Sequence, residues 1–381
     1  MSTAKAVKVR FNLRDKFGDW WEGTTRNQRV IFRIALIGFF FILPYLDNPV
    51  FGTNESDFSS VLFYPMGMFA IMAIGLNIIV GKSGILDLGY VAFFAIGAYT
   101  HAILNLNFGF PFWINVFLGM GFAMLAGLML GLPALRLRGD YLAIITLGFG
   151  EIIPQVFFNG ENFFGFNISN GTKGIVGVDP IPVGVKDLGP FDFGWKLLIF
   201  LLLTAIMVFV SLRLRKGRLG RAWLAIREDE LAASMMGVPL MRTKLAAYAV
   251  GAFAGGLGGV AFATHVNGVY AERFNFAISI FLLAMVVLGG MGNVWGVILG
   301  AFVLSWVNGN GLSAFGRVYN DSFGTSIDFT SFTFLLFGLV LIFMMLFKRE
   351  GLIPESRMKL LMHEGELDDA DSDGKKQKAG K

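Results

Sequence analysis

Five polar side chains stand inside otherwise apolar stretches of the chain: Asn77, Asp87, Tyr90, Thr146 and Glu151. A polar group in hydrocarbon is costly, so one that is kept there is a functional candidate by default, on a substrate path or in an internal pair. Asp87 lies in SGILDLGYVAFFAIGAY (83–99), where Gly84, Gly89 and Gly97 loosen the helix. A helix broken there would expose backbone groups to a zwitterionic ligand, and Asp87 would line the path. The plainer reading is that Asp87 caps a helix or pairs with Lys82 at the interface. Glu151 follows Leu147-Gly148-Phe149-Gly150 and is expected to pair across the bundle.

Other chemistry is absent or incomplete. GKSG at 81–84 suggests a phosphate loop, but that loop needs a glycine at position 76, where Leu76 stands. Lys82 then reads as a cytoplasmic anchor, and any ATP must be bound by another chain. His101, His265 and His363 are far apart, and none has a ligand-type partner one turn away, so no metal site is expected. His101 is placed at the outer end of a span. There is no G-x-S-x-G nucleophile elbow and no cysteine, which removes thiol catalysis and disulfides. Nothing points to catalysis by this chain.

The elements that must carry these residues follow from composition. Of 381 residues, 55% are hydrophobic and 15% charged, with 41 Phe and 49 Gly. A soluble domain carries about 25% charge. Apolar runs recur at about the 17–25 residues needed to cross the hydrocarbon of a bilayer. The expected fold is all-α: a polytopic membrane bundle of about ten helices. The spans are expected at 30–46, 61–80, 84–104, 112–135, 141–158, 195–213, 243–265, 274–290, 292–308 and 331–348. With the N-terminus in the cytoplasm, 25 of the 32 Lys and Arg fall in inside segments and 4 in outside ones. That bias sets the orientation and puts both termini inside.

Residues 1–29 are a basic cytoplasmic segment, 30–350 the transmembrane domain, and 351–381 a polar charged tail expected to be disordered. Residues 159–194 are the longest outside loop. The turn Gly289-Gly290-Met291-Gly292-Asn293 is either a tight cytoplasmic hairpin or a break within the membrane. In the span at 243–265, Gly251, Gly255 and Gly259 continue a small-residue face that begins at Ala247 and ends at Ala263, allowing another backbone to approach closely.

Between two apolar spans the chain reads RKGRLGRAWLAIREDELAASMMGVPLMRTK (215–244). Arg227, Glu228, Asp229 and Glu230 are too charged for a membrane. Trp223, Leu224, Ile226, Leu231, Met235 and Met236 are too apolar for a free linker. A cytoplasmic helix is expected over 218–238, with Gly237 at its C-terminal stop and Pro239 beyond. Such a helix suits docking into a partner's groove, or packing on its own bundle.

Ala232, Ala233 and Gly237 keep the spacing of the E-A-A-x-x-x-G coupling helix of ABC importer permeases, although Leu231 holds the Glu position. Over roughly residues 60–350 the chain resembles the LivM-type permeases of branched-chain amino acid ABC importers. The matching stretches are GLNIIVG (75–81), GILDLGYVAFFAIGAY (84–99), LRLRGDYLAIITLGFGEII (135–153), AIREDELAASMMG (225–237) and VVLGGMGNVWGVILGA (286–301). The resemblance implies a path for leucine, isoleucine and valine, shared with a LivH-like second permease. It implies two cytoplasmic ATPases that hold ATP and Mg and grip 218–238, and an extracytoplasmic amino acid-binding protein. Membrane lipid is the remaining partner, with no cofactor in this chain and no nucleic acid. The alternatives are an importer for urea or amides, whose branch shares the fold but reads GLLSLGHGAFF near 84–95, and an ion-driven secondary transporter, which would show internal repeats.

Overall fold

The computed structural model describes residues 66–137, 140–162, 167–183, 186–187, 193–324, 328–347 and 351–353. The expected span at 30–46, the basic segment 1–29 and the tail from 354 lie outside the described residues. The described residues are overwhelmingly helical, as the composition requires. They form α1 (Met68–Leu76), α2 (Val91–Phe108), α3 (Phe112–Ala134), α4 (Asp140–Phe158), α5 (Phe193–Lys216), α6 (Arg218–Glu228), α7 (Glu230–Met235), α8 (Leu240–Val266), α9 (Phe276–Gly289), α10 (Val294–Trp306), α11 (Leu312–Phe323) and α12 (Thr333–Phe347).

Five helical segments among them are long and apolar enough to cross a membrane: Val91–Phe108, Phe112–Ala134, Tyr141–Phe158, Leu240–Val266 and Ala271–Gly289. Met68–Lys82, Val294–Gly309 and Thr333–Leu346 are shorter apolar segments. The chain is therefore a polytopic helical membrane protein. In water-free hydrocarbon each spanning segment must satisfy its own backbone, which is what helices do.

The centre of the bundle is α8, which packs against α1, α2 and α3. Small residues let it do so. A Cβ at Gly259 would collide with the carbonyl oxygen of Phe94, and one at Gly255 would lie 2.8 Å from Phe93 Cβ. Gly251 faces the Ile79 side chain on the helical turn that continues α1, and a Cβ at Gly256 would lie 2.7 Å from Gly119 O. Close backbone approach of this kind gives dispersion contacts in a solvent where apolar burial gains nothing. Gly109, in the left-handed region, and extended Pro111 end α2 and start α3, which turns the chain back in three residues.

Three expectations about elements are corrected. The span at 84–104 does not begin as a helix. Its helix starts at Val91, and 84–90 is irregular but largely buried. The helix at 218–238 is two helices, because Asp229 is extended and its carboxylate accepts from Leu231 N and Ala232 N, starting α7 afresh. The tail is not free from 351: Leu352 N and Ile353 N donate to Leu288 O and Gly289 O at the end of α9.

That last contact also fixes the 289–293 turn. Gly290 and Gly292 have positive φ, and α9 and α10 fold back on each other through Gly289 and Gly296. It is a tight hairpin. The described part of the 159–194 loop folds onto neighbouring helix ends rather than standing away. Strand β1 (Ile175–Val176) pairs antiparallel with β4 (Gly268–Val269), just after α8, and β2 (Pro182–Val183) pairs with β3 (Lys186–Asp187). Asp179 bonds both ways with Asn105 on α2, as acceptor at 3.0 Å and as backbone donor at 2.8 Å.

Candidate functional site

The irregular stretch 84–90 gathers three of the five polar candidates, Asp87, Tyr90 and Thr146. After α1 the chain continues as a wide helical turn, Asn77–Lys82, and then opens. Wide turns of this type are frequent at functional sites. The freed backbone groups find side-chain partners. Leu88 N donates to Thr146 Oγ1 at 3.1 Å, Gly89 N to Asp87 Oδ1 at 2.9 Å, and Val91 N to Ser279 Oγ at 3.0 Å. A break at membrane depth survives only when it is satisfied in this way.

Gly89 is where the break meets α4. A Cβ there would collide with the carbonyl oxygen of Thr146, and a Cβ at Gly150, one turn on, would lie 2.8 Å from Gly89 Cα. Tyr90 turns the other way: its buried hydroxyl donates to Gly251 O on α8 at 2.8 Å. Asn77 reaches the α9–α10 hairpin, accepting from Gly292 N at 2.8 Å through Oδ1.

Two of these groups keep an unspent polar atom. Asp87 Oδ2 and Asn77 Nδ2 are buried with no hydrogen-bond partner. Leaving such atoms unpaired costs about 1–3 kcal/mol each, more for a charged group. Asp87 thus neither caps α2, whose first residue follows Tyr90, nor pairs with Lys82. The Lys82 ammonium is buried and donates to Ser211 O at 3.0 Å and Ser211 Oγ at 2.7 Å on α5.

Glu151 does not join the group. Its side chain faces out from α4, exposed, and the expected pair across the bundle is not formed among the described residues. His101 is buried and bonded to Thr264 Oγ1 at 2.8 Å. Sequence reading also passed over Ser279, Ser211 and Thr264. Each is a hydroxyl on a helix of mostly apolar residues, a signal like the one that singled out Thr146. Among the described residues no group of three His, Cys, Asp or Glu is placed to hold a metal.

Among the described residues, Trp223, Arg227 and Glu230 each tie the charged segment to the bundle. Trp223 is fully buried and its Nε1 donates to Thr243 O at 2.8 Å. Arg227 donates to Gly81 O. Glu230 pairs with Lys244 Nζ at 2.6 Å. Beyond Glu230 little is covered: Leu231, Met235 and Met236 are 68%, 79% and 86% exposed, while Ala233 is buried. Glu228, Ala232 and Gly237 are exposed as well. Gly237 takes φ +82° and ends α7.

The model of the family described as "Branched-chain amino acid transport system / permease component" matches residues 60–345. This chain belongs to that family. It is 39% identical over 319 residues to the high-affinity branched-chain amino acid transport system permease protein LivM of Escherichia coli, covering 78% of this chain and 70% of the relative. It is 40% identical over 320 residues to the protein of the same name from Salmonella typhimurium, covering 78% and 71%. A probable LivM of Methanocaldococcus jannaschii is 27% identical over 336 residues, covering 78% and 94%. No solved structure matches the chain. The matched region takes in the 84–90 break, α4, α6, α7 and α8. As a permease with several helices of spanning length, the chain is a multi-pass protein of the cytoplasmic membrane.

Proposed function

We propose that this chain is one of two permease subunits of an ATP-driven importer of leucine, isoleucine and valine. A LivH-like chain supplies the other half of the path. Two cytoplasmic ATPases bind ATP and Mg, and an extracytoplasmic binding protein delivers substrate. This chain performs no catalysis itself.

The observation that carries the reading is α7. It belongs to a membrane chain, yet it is charged at its start and leaves Leu231, Met235 and Met236 open. Flexible, polarisable Met side chains adapt to a partner's groove. Arg227, Glu228, Asp229, Glu230, Ala232, Ala233 and Gly237 form the grip of the ATPases in this reading. Motion of α6 and α7 then reaches the bundle through Trp223, Arg227 and Glu230, side chains that tie it there. Nucleotide bound on another chain biases two global arrangements of the path, which is what coupling requires.

In the path we place Asn77, Asp87, Tyr90 and Thr146; Glu151, expected with them, faces out from α4 and is not placed there. Asp87 is the group that meets the ammonium of a zwitterionic substrate, and the 84–90 break is the element that moves. Its support is the buried Oδ2 with no partner in this arrangement. Gly251, Gly255 and Gly259 keep α8 close enough to carry the motion.

The test is uptake of labelled leucine in cells lacking their own importer. The cells express this chain with the second permease, the ATPases and the binding protein, with intact or substituted phosphate-loop lysines in the ATPases. Uptake abolished by that substitution is expected. Uptake that persists and follows the membrane potential would replace the reading with an ion-driven one.

A further inference from the structure

Of the five spanning segments, α4 is the least covered by its own chain: 28% of its apolar window is buried, against 72% for α8. Its outward stripe runs through Tyr141, Ile144, Gly148, Glu151, Ile152 and Gln155, spaced at three and four residues, all exposed except Gly148, beside which no atom lies within 4 Å of an added Cβ. Glu151 is the one Asp, Glu, Lys or Arg in the interior of these five segments; the others fall within the first five residues of Leu240–Val266 or Ala271–Gly289. At about 1.5 Å per residue it lies roughly 10 Å from the nearer helix end, deep in the hydrocarbon.

Other exposed faces are of a different kind. On α3 the exposed side chains include Ile114, Phe117, Phe122, Leu125 and Met129, and on α12 Phe334, Leu335, Leu339 and Ile342. Those suit lipid. A carboxylate with a glutamine one turn away does not, because intramembrane ionisable groups face protein or a water-filled cavity. A second copy of this chain is a poor cover too. A two-fold contact sets the same stripe against itself and brings two Glu151 carboxylates together at low dielectric.

We propose that the outward stripe of α4 docks against a second, non-identical permease chain that offers a cation or hydrogen-bond donor to Glu151. The inference rests on the two-permease reading above and names the face by which the two meet. It makes α4 the shared wall, with one side clamped on Gly89 through Thr146 and Gly150 and the other on the partner.

The test uses the whole complex in membranes, with an affinity tag on the second permease. A benzophenone amino acid replaces Ile144 or Ile152 on the stripe, or Phe117 or Met129 on α3 as controls. On irradiation, adducts with the second permease are expected from both stripe positions, several-fold above the controls. Adducts with another copy of this chain, or with lipid alone, overturn the proposal. If the second permease co-purifies yet links only from other faces, this inference fails and the two-permease reading stands. If it does not co-purify at all, that reading falls and this inference falls with it.

Discussion

The guanidinium of Arg227 donates to the carbonyl oxygen of Gly81, 146 residues away in the chain. Gly81 closes the wide turn that ends the first described helix, and the stem of Arg227 also packs over Gly84, which holds φ +71° at the start of the break. The surface helix pair is thereby joined to the irregular stretch that carries Asp87. A displacement of α6 moves the same backbone that positions Asp87 and Gly89, without any long chain of intermediates.

Arg227→Ala should uncouple the two ends of that link. The lost charge-assisted bond is worth about 1.5–3 kcal/mol. The chain should still insert and assemble, since Trp223 and the Glu230–Lys244 pair remain. Leucine uptake should fall while ATP hydrolysis by the complex persists, so the amount of ATP spent per leucine rises. An unchanged ratio would remove Arg227 from the coupling route.

Gly237 tests the stop of α7. Its φ of +82° costs a non-glycine residue about 1–2 kcal/mol, yet open space surrounds it, so size alone does no harm. The expected order of ATPase co-purification and uptake is Gly, then Asn, then Ala, with Val lowest because β-branching disfavours that region most. Equal uptake for Gly237→Val and Gly237→Asn would show that the backbone turn is not what the ATPases read.

Much of this was legible in the residues. The lone polar side chains in apolar runs marked the break, because both the break and the cost of a stray carboxylate follow from the lack of water. The small-residue face of α8 was legible for the same reason. What escaped depended on direction. Sequence spacing puts Glu151 and Thr146 on one helix, but only packing decides that Thr146 turns to Gly89 while Glu151 turns away. The bond from Lys82 to Ser211 was not legible, because Ser211 lies 129 residues on and carries no charge to announce the pair. The split of the coupling segment at Asp229 was visible only as one more charge in a run of four. Its capping role depends on a single extended residue.

The contact between Gly89 and α4 should be the least tolerant in the bundle. Gly89→Ala drives a methyl into the Thr146 carbonyl, and backbone cannot yield as a side-chain end can. A loss of about 1–3 kcal/mol is expected, as for overpacking elsewhere. Gly121→Ala on α3, where an added Cβ meets nothing within 4 Å, should leave stability unchanged or slightly improved. Thermal unfolding of the two variants in detergent separates these outcomes, and similar midpoints would argue that the break repacks freely.

Asp87 can be divided atom by atom. Its Oδ1 accepts from Gly89 N and shapes the break, while Oδ2 is buried without a partner. Asp87→Asn keeps the Oδ1 acceptor and removes the charge; Asp87→Ala removes both. If the carboxylate serves only the turn, the Asn variant should transport like the parent and Ala alone should be defective. If the charge meets substrate, both should lose uptake by about tenfold or more, in keeping with a charged contact worth at least 1.4 kcal/mol. The amount of assembled complex should still match the parent for Asn. Uptake and complex yield measured on the same membranes decide between them, since a structural defect lowers both together and a path defect lowers only the first.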